Sequence, residues 1–490
     1  MNVGIVGGGI GGLTLALLLS QRGIAVTIYE KAGKLGGRLA FRRLEDGCRI
    51  DEGPTIVLLP EMLLSVLEEG GLDRSEVPLL ECSPMYRIYY GDGTVLNKWR
   101  NTGRQLEELQ SFAPGSERGF LKYMSDMNRA FSIGERQILN RRLLRKRHLL
   151  HSDTLRMLAA VKAYKSARSL AADYFTNDKL VDAFSLQTLY IGGSPSATPS
   201  LYSFVSYAEH AFGVWYMPGG YATLVEKLER ILRSRGVRIK LNSEVNRLEI
   251  GEGRCSGVKL SDGSVVPHDQ VIFNGDFPHL SRLLPGGAKP SKRAAFVPSS
   301  GCLLLYATAA KRWTRLAGHQ FFLPATPLSD HWRLIFEQRK VPANPSFYVF
   351  SPTALEPEAA PEGHSVLYFL VPVPTGSTMD WQKEKQAIVD YVLSETERRA
   401  APGLTASIRH LVVKTPEDAE AEGLFGGGSF GIAPTWLQSG PFRPQQKPYP
   451  IEGLHALGAS VHPGGGVPIV MHGAKLLCDQ LMKERSRWNA

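Results

Sequence analysis

The sequence predicts an α/β protein built on a Rossmann-like nucleotide-binding domain. Three observations carry that expectation: a glycine-rich turn between a strand and an apolar helix near residue 1, an acid closing the next strand, and a second glycine-rich strand–turn–helix near residue 465. Residues 2–6 read as a short buried strand, residues 13–20 as an apolar helix stopped by Gly23, and residues 25–29 as a strand ending at Glu30. Gly7, Gly9 and Gly12 supply GxGxxG between the first strand and the helix. The first glycine permits the tight turn, the second lets a pyrophosphate approach bare backbone, and the third lets helix pack closely on strand. Free N–H groups at the helix start face the phosphate charge. Glu30 lies 18 residues past Gly12, where a carboxylate accepts hydrogen bonds from a ribose diol. A lone GxGxxG marks only a turn before a helix; here five features coincide and point to a dinucleotide.

The motif itself does not choose between NAD and FAD. Gly36, Gly37 and Arg38 follow the second strand, and a pure NAD domain does not need that element. Together with Glu30 and the turn Asp51-Glu52-Gly53-Pro54-Thr55, they resemble the N-terminal flavin site of the phytoene desaturase family, within the larger amine-oxidase-like group of FAD enzymes. Residues 454–481, LHALGASVHPGGGVPIVMHGAKLLCDQL, resemble that family's C-terminal flavin segment. Residues 186–203, 212–220 and 430–445 resemble bacterial desaturases of the C30 carotenoid precursor dehydrosqualene, so the likeness spans essentially the whole chain. It implies an FAD cofactor held by Gly7, Gly9, Gly12, Glu30, Lys31, Gly37, Arg38, Gly53, Pro54, Thr55, Val245, Gly458, Gly465, Val467 and Pro468.

The organisation follows from these motifs. The FAD-binding domain is expected from residues 1–75, 218–290 and 420–490, with 76–217 a mainly helical substrate and membrane-associating region and 291–419 a substrate region containing sheet. In the middle piece, residues 221–232 form an amphipathic helix closed by Gly236, residues 237–241 a strand, and residues 246–250 and 255–260 antiparallel strands with a turn at Asp262-Gly263. Residues 271–274 return as a strand, and residues 301–306, 347–350 and 366–371 read as strands of the substrate region. A chain of 490 residues with 43% apolar side chains is long enough for two or three cores. Five scattered cysteines without CxxC spacing indicate neither a disulfide frame nor a zinc site; no metal is expected, and a reducing cytoplasm fits. The six glycines between Gly4 and Gly12 mark a cofactor turn and not a signal peptide, and no apolar run is long enough to span a bilayer.

Most of the net charge of +10 resides in one stretch. Residues 135–170 carry ten basic side chains against Glu135 and Asp153. Within it, RQILNRRLLRKRHLL interleaves cations with Ile138, Leu139, Leu143, Leu144, Leu149 and Leu150 at roughly helical spacing, as for a helix lying on an anionic membrane surface. A solvated helix face and a nucleic-acid patch are the other readings of such a run. Beside a flavin site whose family works on lipids, residues 136–168 read as a membrane contact on the cytoplasmic side, with no nucleic-acid partner.

What the resemblance implies chemically is desaturation of a polyene by hydride transfer to the flavin, with oxygen or a quinone as final electron acceptor and a long apolar slot in place of a catalytic triad. No HExxH, GxSxG or Walker pattern offers a competing chemistry. His462 falls where the desaturase branch typically shows a histidine, which makes it a candidate proton acceptor or flavin-positioning residue; the other reading is a structural turn histidine. Tyr190, Phe212, Trp215 and Tyr216 are candidates to line a polyene tunnel, or else core aromatics. Glu209 and His210 are neighbours on a helix and point apart, against a paired site. Rival readings are oxidation of a carotenoid's terminal methyl group to an aldehyde, towards which Pro298 to Gly301 and Gly464 to Gly466 lean, and desaturation of C40 phytoene. An amine oxidase and a non-enzymatic prenyl-lipid escort lie further off.

Overall fold

The computed structural model describes residues 1–43, 47–142, 145, 147, 150–287, 296–376 and 379–488, with residues 487 and 488 in backbone only. Five short strands form a parallel sheet in the order Leu454–Ala456, Gln270–Phe273, Asn2–Val6, Ala25–Tyr29, Arg238–Lys240. Val3 pairs with Gln270 on one side and Val26 on the other. Strands buried on both faces need no polar alternation, and Val3, Ile5, Val26, Ile28 and Ile272 are all enclosed. The helix Ile10–Gln21 is apolar all round because it is covered all round, with the helices Tyr221–Ser234 and Val467–Trp488 packed against it. Beside this sheet, Val245–Gly251, Arg254–Leu260 and Val265–Pro267 form a three-stranded antiparallel sheet.

A seven-stranded sheet makes the second layer, in the order Ile408–Lys414, Gly301–Ala309, Ser365–Val373, Phe347–Phe350, His319–Phe322, Tyr86–Tyr89, Val95–Lys98. Its pairs are antiparallel except that His319–Phe322 runs parallel to Tyr86–Tyr89. Period-two alternation gives the sheet two faces. Leu303, Leu305, Leu367 and Phe369 pack with Trp381, Ile388 and Val392 of the helix Trp381–Arg399. On the other face, Tyr306, Phe321, Tyr348 and Tyr368 turn toward a helical layer that includes Phe120, Tyr123 and Phe184.

Residues 76–217 are mainly helical and also carry strands. A hairpin, Tyr86–Tyr89 and Val95–Lys98, precedes the helices Thr102–Phe112 and Glu117–Gly134 and completes the seven-stranded sheet. Its signal is Asp92-Gly93 between β-prone runs, a hairpin turn overlooked among the helical periods that follow.

The amphipathic helix expected through residues 136–150 also differs. Regular helix gives way to a wider turn over Glu135–Leu139, and Arg141 and Arg142 have left helical geometry. The Arg141 carbonyl accepts a hydrogen bond from His462. Ile138 and Leu139 turn inward to a cavity, while Leu150 is three-quarters exposed. Leu143, Leu144, Lys146, His148 and Leu149 lie outside the described residues. Among the described residues, no helix is long and apolar enough to cross a membrane.

Candidate active site

One cavity of about 1410 Å³ runs from the glycine turns of the parallel sheet to the aromatic face of the seven-stranded sheet. At the first end, Gly9 precedes the helix Ile10–Gln21 with no side-chain cap, leaving the first-turn N–H groups for a ligand. A Cβ placed on Gly9 would meet only the Asn274 side-chain nitrogen, at 3.4 Å, so the cradle is open space. Gly12 does not reach the cavity. Its missing Cβ would stand 2.5 Å from the Gly7 carbonyl oxygen, so it serves helix–strand packing.

Glu30 is almost enclosed, and its carboxylate accepts from the Gly8 and Ala32 backbone N–H groups, both at 2.8 Å. Each oxygen keeps a further lone pair at the cavity wall, where a ribose diol would bind. The Ser243 N–H donates to the Glu30 carbonyl at 2.8 Å, which brings Val245 to the same end. Arg38 donates to the Ser429 carbonyl at 2.8 Å. A Cβ on Gly53 would fall 1.8 Å from the Arg38 carbonyl oxygen, so only glycine fits there. Lys31, Gly37, Arg38, Gly53, Pro54, Thr55, Gly458, Gly465, Val467 and Pro468 all line the cavity with Gly7, Gly9 and Glu30. The set fits a dinucleotide bearing a ring system: bare backbone for phosphate, a carboxylate for ribose, and glycine turns from both ends of the chain around the remainder.

The second end is apolar. Ile56, Leu58, Leu186, Leu189, Phe204 and Leu304 share its wall with Tyr190, Phe321, Tyr348 and Tyr368. Of the four aromatics expected along a tunnel, only Tyr190 is on the wall, stacked on Phe321 with centroids 6.0 Å apart. Phe212 stands behind Phe131, at 5.6 Å. Trp215 is spent on strand pairing with Glu81 and Val57, and its ring N–H donates to the Phe212 carbonyl at 2.7 Å. Tyr216 donates to Glu356 at 2.7 Å. Gly213, with φ of 86°, ends the preceding helix and sends both residues into that short sheet, away from the cavity.

His462 also stays off the wall, although Pro463 and Gly464 to Gly466 line it. The ring is buried, and its Nε2–H donates to the Arg141 carbonyl at 2.7 Å, since a carbonyl can only accept. Burial holds its pKa down at about 4. The residue therefore ties the glycine turn to the start of the basic segment, the structural alternative raised by the sequence.

Asn274 and Lys98 were not singled out from the sequence. Asn274, just past the strand Gln270–Phe273, donates its side-chain amide to the Gly7 carbonyl at 3.0 Å and reaches the Gly9 carbonyl at 3.4 Å, holding the phosphate turn in shape. Behind Tyr190, Glu209 is completely buried; its carboxylate accepts from Tyr86 at 2.7 Å and Gln187 at 3.0 Å, and burial raises its pKa. Lys98 faces it with a pKa depressed to about 7 by the same burial. Glu209 and His210 do diverge as expected: His210 Nδ1 lies 3.0 Å from the Trp99 carbonyl oxygen instead.

Residues 10–482 match the family described as flavin containing amine oxidoreductase. The chain is 45% identical to a protein of Metabacillus indicus named 4,4'-diapolycopen-4-al dehydrogenase, over 99% of this chain and 97% of that one. It is 31% identical to the 4,4'-diapophytoene desaturase (4,4'-diaponeurosporene-forming) of Staphylococcus aureus strain Newman, over 99% and 100%. An oxidoreductase from Methanosarcina mazei shares the fold with a TM-score of 0.67 at 17% identity, covering 98% of this chain and all of that one. On this evidence of sequence, fold and cradle, the chain belongs to the flavin containing amine oxidoreductase family and is an FAD-dependent oxidoreductase.

Proposed function

We propose that the protein is a carotenoid desaturase that oxidises a C30 polyene, with 4,4'-diapophytoene (dehydrosqualene) as substrate. The observation that carries this reading is the single cavity in which a dinucleotide cradle passes into an apolar, aromatic-walled slot without a catalytic triad. Both relatives named above carry diapo-carotenoids in their names. FAD, when bound, supplies the hydride acceptor. The chain's own part is to hold it through Gly9, the first-turn N–H groups, Glu30 and Arg38, to lay the polyene along Leu186, Leu189, Tyr190, Phe321 and Tyr348, and to exclude water. Residues 1–75, 218–290 and 420–490 we assign to the FAD unit, and 76–217 with 291–419 to the substrate unit.

Docking on the cytoplasmic membrane supplies the lipid-soluble substrate. Arg141, Arg142, Arg145 and Arg147 offer charge for anionic lipid, and exposed Trp436 and Leu437 lie between Pro434 and Gly440 of the cavity wall. Oxygen or a quinone takes the electrons onward.

A second reading has its own support. The 45% relative is named for dehydrogenating a terminal aldehyde, which favours work on an oxidised end group over work on the polyene interior. Supplying purified membranes with FAD, an electron acceptor and one polyene at a time separates the two. Dehydrosqualene is expected to yield products whose visible absorption moves stepwise to the red with no carbonyl. Dehydrosqualene left untouched while 4,4'-diapolycopen-4-al becomes the acid would replace the first reading with the second. Some turnover of C40 phytoene is compatible with the first reading, since a methylene in an apolar pocket is worth only about 1–3 kcal/mol.

A further inference from the structure

A buried chain of polar groups reaches the cavity from the seven-stranded sheet. His319 is fully enclosed, its ring nearly parallel to those of Tyr348 and Phe350, with planes 18° apart and centroids at 5.9 and 4.9 Å. Its Nδ1 stands 2.6 Å from Tyr348 Oη, and that oxygen stands 2.7 Å from Thr55 Oγ1. Nε2 has no partner among the described residues. Thr55 and Tyr348 both line the cavity, Thr55 beside Gly53 and Pro54 of the cofactor end and Tyr348 on the apolar wall, so the pair marks the junction of the two parts.

The direction of the hydrogen bonds follows from the orphaned nitrogen. Burial presses the His319 pKa down to about 3, so the ring is neutral and carries one proton. On Nε2 that proton would be an orphaned buried donor; on Nδ1 the orphan is only a lone pair, and unpaired buried N–H groups are the rarer defect. Nδ1–H therefore donates to Tyr348 Oη, and the Tyr348 hydroxyl donates to Thr55 Oγ1. The Thr55 hydroxyl proton then has no acceptor among the described residues and is free to point into the cavity. A donor at the end of such a chain is strengthened by the links behind it.

We propose that Thr55, driven by Tyr348 and His319, donates a hydrogen bond to an oxygen on the substrate's reacting end, and so selects an oxygenated polyene end group over a plain hydrocarbon one. The proposal rests on the second reading above. In an apolar slot a carbonyl oxygen without a donor keeps its full desolvation penalty, and a hydrocarbon end leaves the Thr55 donor unpaired, so one hydrogen bond discriminates twice. Thr55 is then the specificity-determining residue, and Tyr348 and His319 position it.

The test uses FAD-loaded protein in detergent with its flavin chemically reduced, so that binding is read without turnover. It is titrated with 4,4'-diapolycopen-4-al and with the parent hydrocarbon 4,4'-diapolycopene, following the polyene absorption. Wild type is expected to prefer the aldehyde by about tenfold, with the bound aldehyde absorbing to the red of its position in hexane. Thr55→Ser keeps the preference and the red shift; Thr55→Val brings the affinity ratio to about one and abolishes the shift. Tyr348→Phe and His319→Leu lower the ratio, and His319→Gln loses less than His319→Leu because its amide still donates. A Thr55→Val protein that keeps the aldehyde preference overturns the proposal, as does one in which only the flavin spectrum moves, which would assign the donor to the cofactor. Hydrocarbon bound as tightly as aldehyde by wild type refutes this proposal alone; failure to bind either polyene refutes the C30 reading as well.

Discussion

Gly9 and Gly12 belong to one motif, yet the structure assigns them separable work, and substituting each tells cofactor binding from folding. Gly9 has φ of −73° and ψ of 173°, a conformation open to any residue, and its added Cβ has a nearest neighbour only at 3.4 Å. Gly9→Val is thus expected to leave the FAD-free protein within about 0.5 kcal/mol of wild type. The new methyl groups occupy the approach of the pyrophosphate, and withdrawing even one charge-assisted hydrogen bond costs about 1.5–3 kcal/mol, so FAD affinity falls by roughly a hundredfold. At Gly12 the added Cβ would lie 2.5 Å from the Gly7 carbonyl oxygen and 3.0 Å from Ile5 Cγ2, both packed backbone or core. Gly12→Ala is expected to destabilise by about 1–3 kcal/mol through overpacking. The assay is thermal melting with and without FAD, joined to a flavin-fluorescence titration. At a hundred times Kd a ligand stabilises by about 2.7 kcal/mol. Gly9→Val should lose most of that increment while keeping the FAD-free midpoint, and Gly12→Ala should lower the FAD-free midpoint itself. Wild-type FAD affinity in Gly9→Val would refute the placement of the pyrophosphate.

His462, with its folded pKa lowered to about 4 from an ordinary 6.5, is held neutral by burial; that stability is present above pH 6.5 and lost as pH falls through the folded value. His462→Gln should therefore lose less stability than wild type between pH 7 and pH 4.5, measured by urea midpoints, and an identical loss would show that His462 does not titrate in this window. Glu209→Ala takes the buried carboxylate from the Tyr86 hydroxyl and the Gln187 amide and the counter-charge from Lys98, and a drop of about 3–5 kcal/mol is expected in denaturant unfolding, against a smaller one for Glu209→Gln. Reversing Arg141, Arg142, Arg145 and Arg147 to Glu should release the protein from anionic vesicles at low salt, each cation contributing about 1 kcal/mol near the surface, and moderate salt should weaken wild type. Equal binding of both proteins in a flotation assay would dispose of the basic segment as a docking site.

What was legible in the sequence divides along a physical line. The parallel sheet, its first helix and both glycine turns were readable because their signals are local: a strand buried on both faces is an unbroken apolar run, and a phosphate turn needs glycine at fixed offsets. The hairpin at Tyr86 to Lys98 was local too, and its Asp-Gly turn was there to be read. The regular helix expected through the basic run is interrupted for a different reason. Its leucines keep helical spacing, but Ile138 and Leu139 have an apolar cavity to fill and Arg141 has a buried histidine to satisfy, and those long-range partners override a periodicity that has no other support.

The same line runs through the site. A dinucleotide is held largely by backbone, so the residues that hold it are the ones a chain segment announces by itself: Gly7, Gly9, Glu30, Gly53 and Gly465 line the cavity where the motifs put them. A polyene is held by side chains brought from separate strands and helices, and no segment announces which of its aromatics will face it. Trp215 and Tyr216 looked as suitable as Tyr190, but a short strand pairing with Leu80 and Glu81 carried them away. Tyr348 reached the wall because period-two alternation turns it opposite to Val349, and it acquired its hydroxyl partners from residues 55 and 319, hundreds and tens of positions distant. The cofactor is therefore the part of such an enzyme that sequence specifies most directly. The discrimination we propose between a hydrocarbon and an oxygenated end group depends on a few polar atoms whose neighbours only the folded chain assembles.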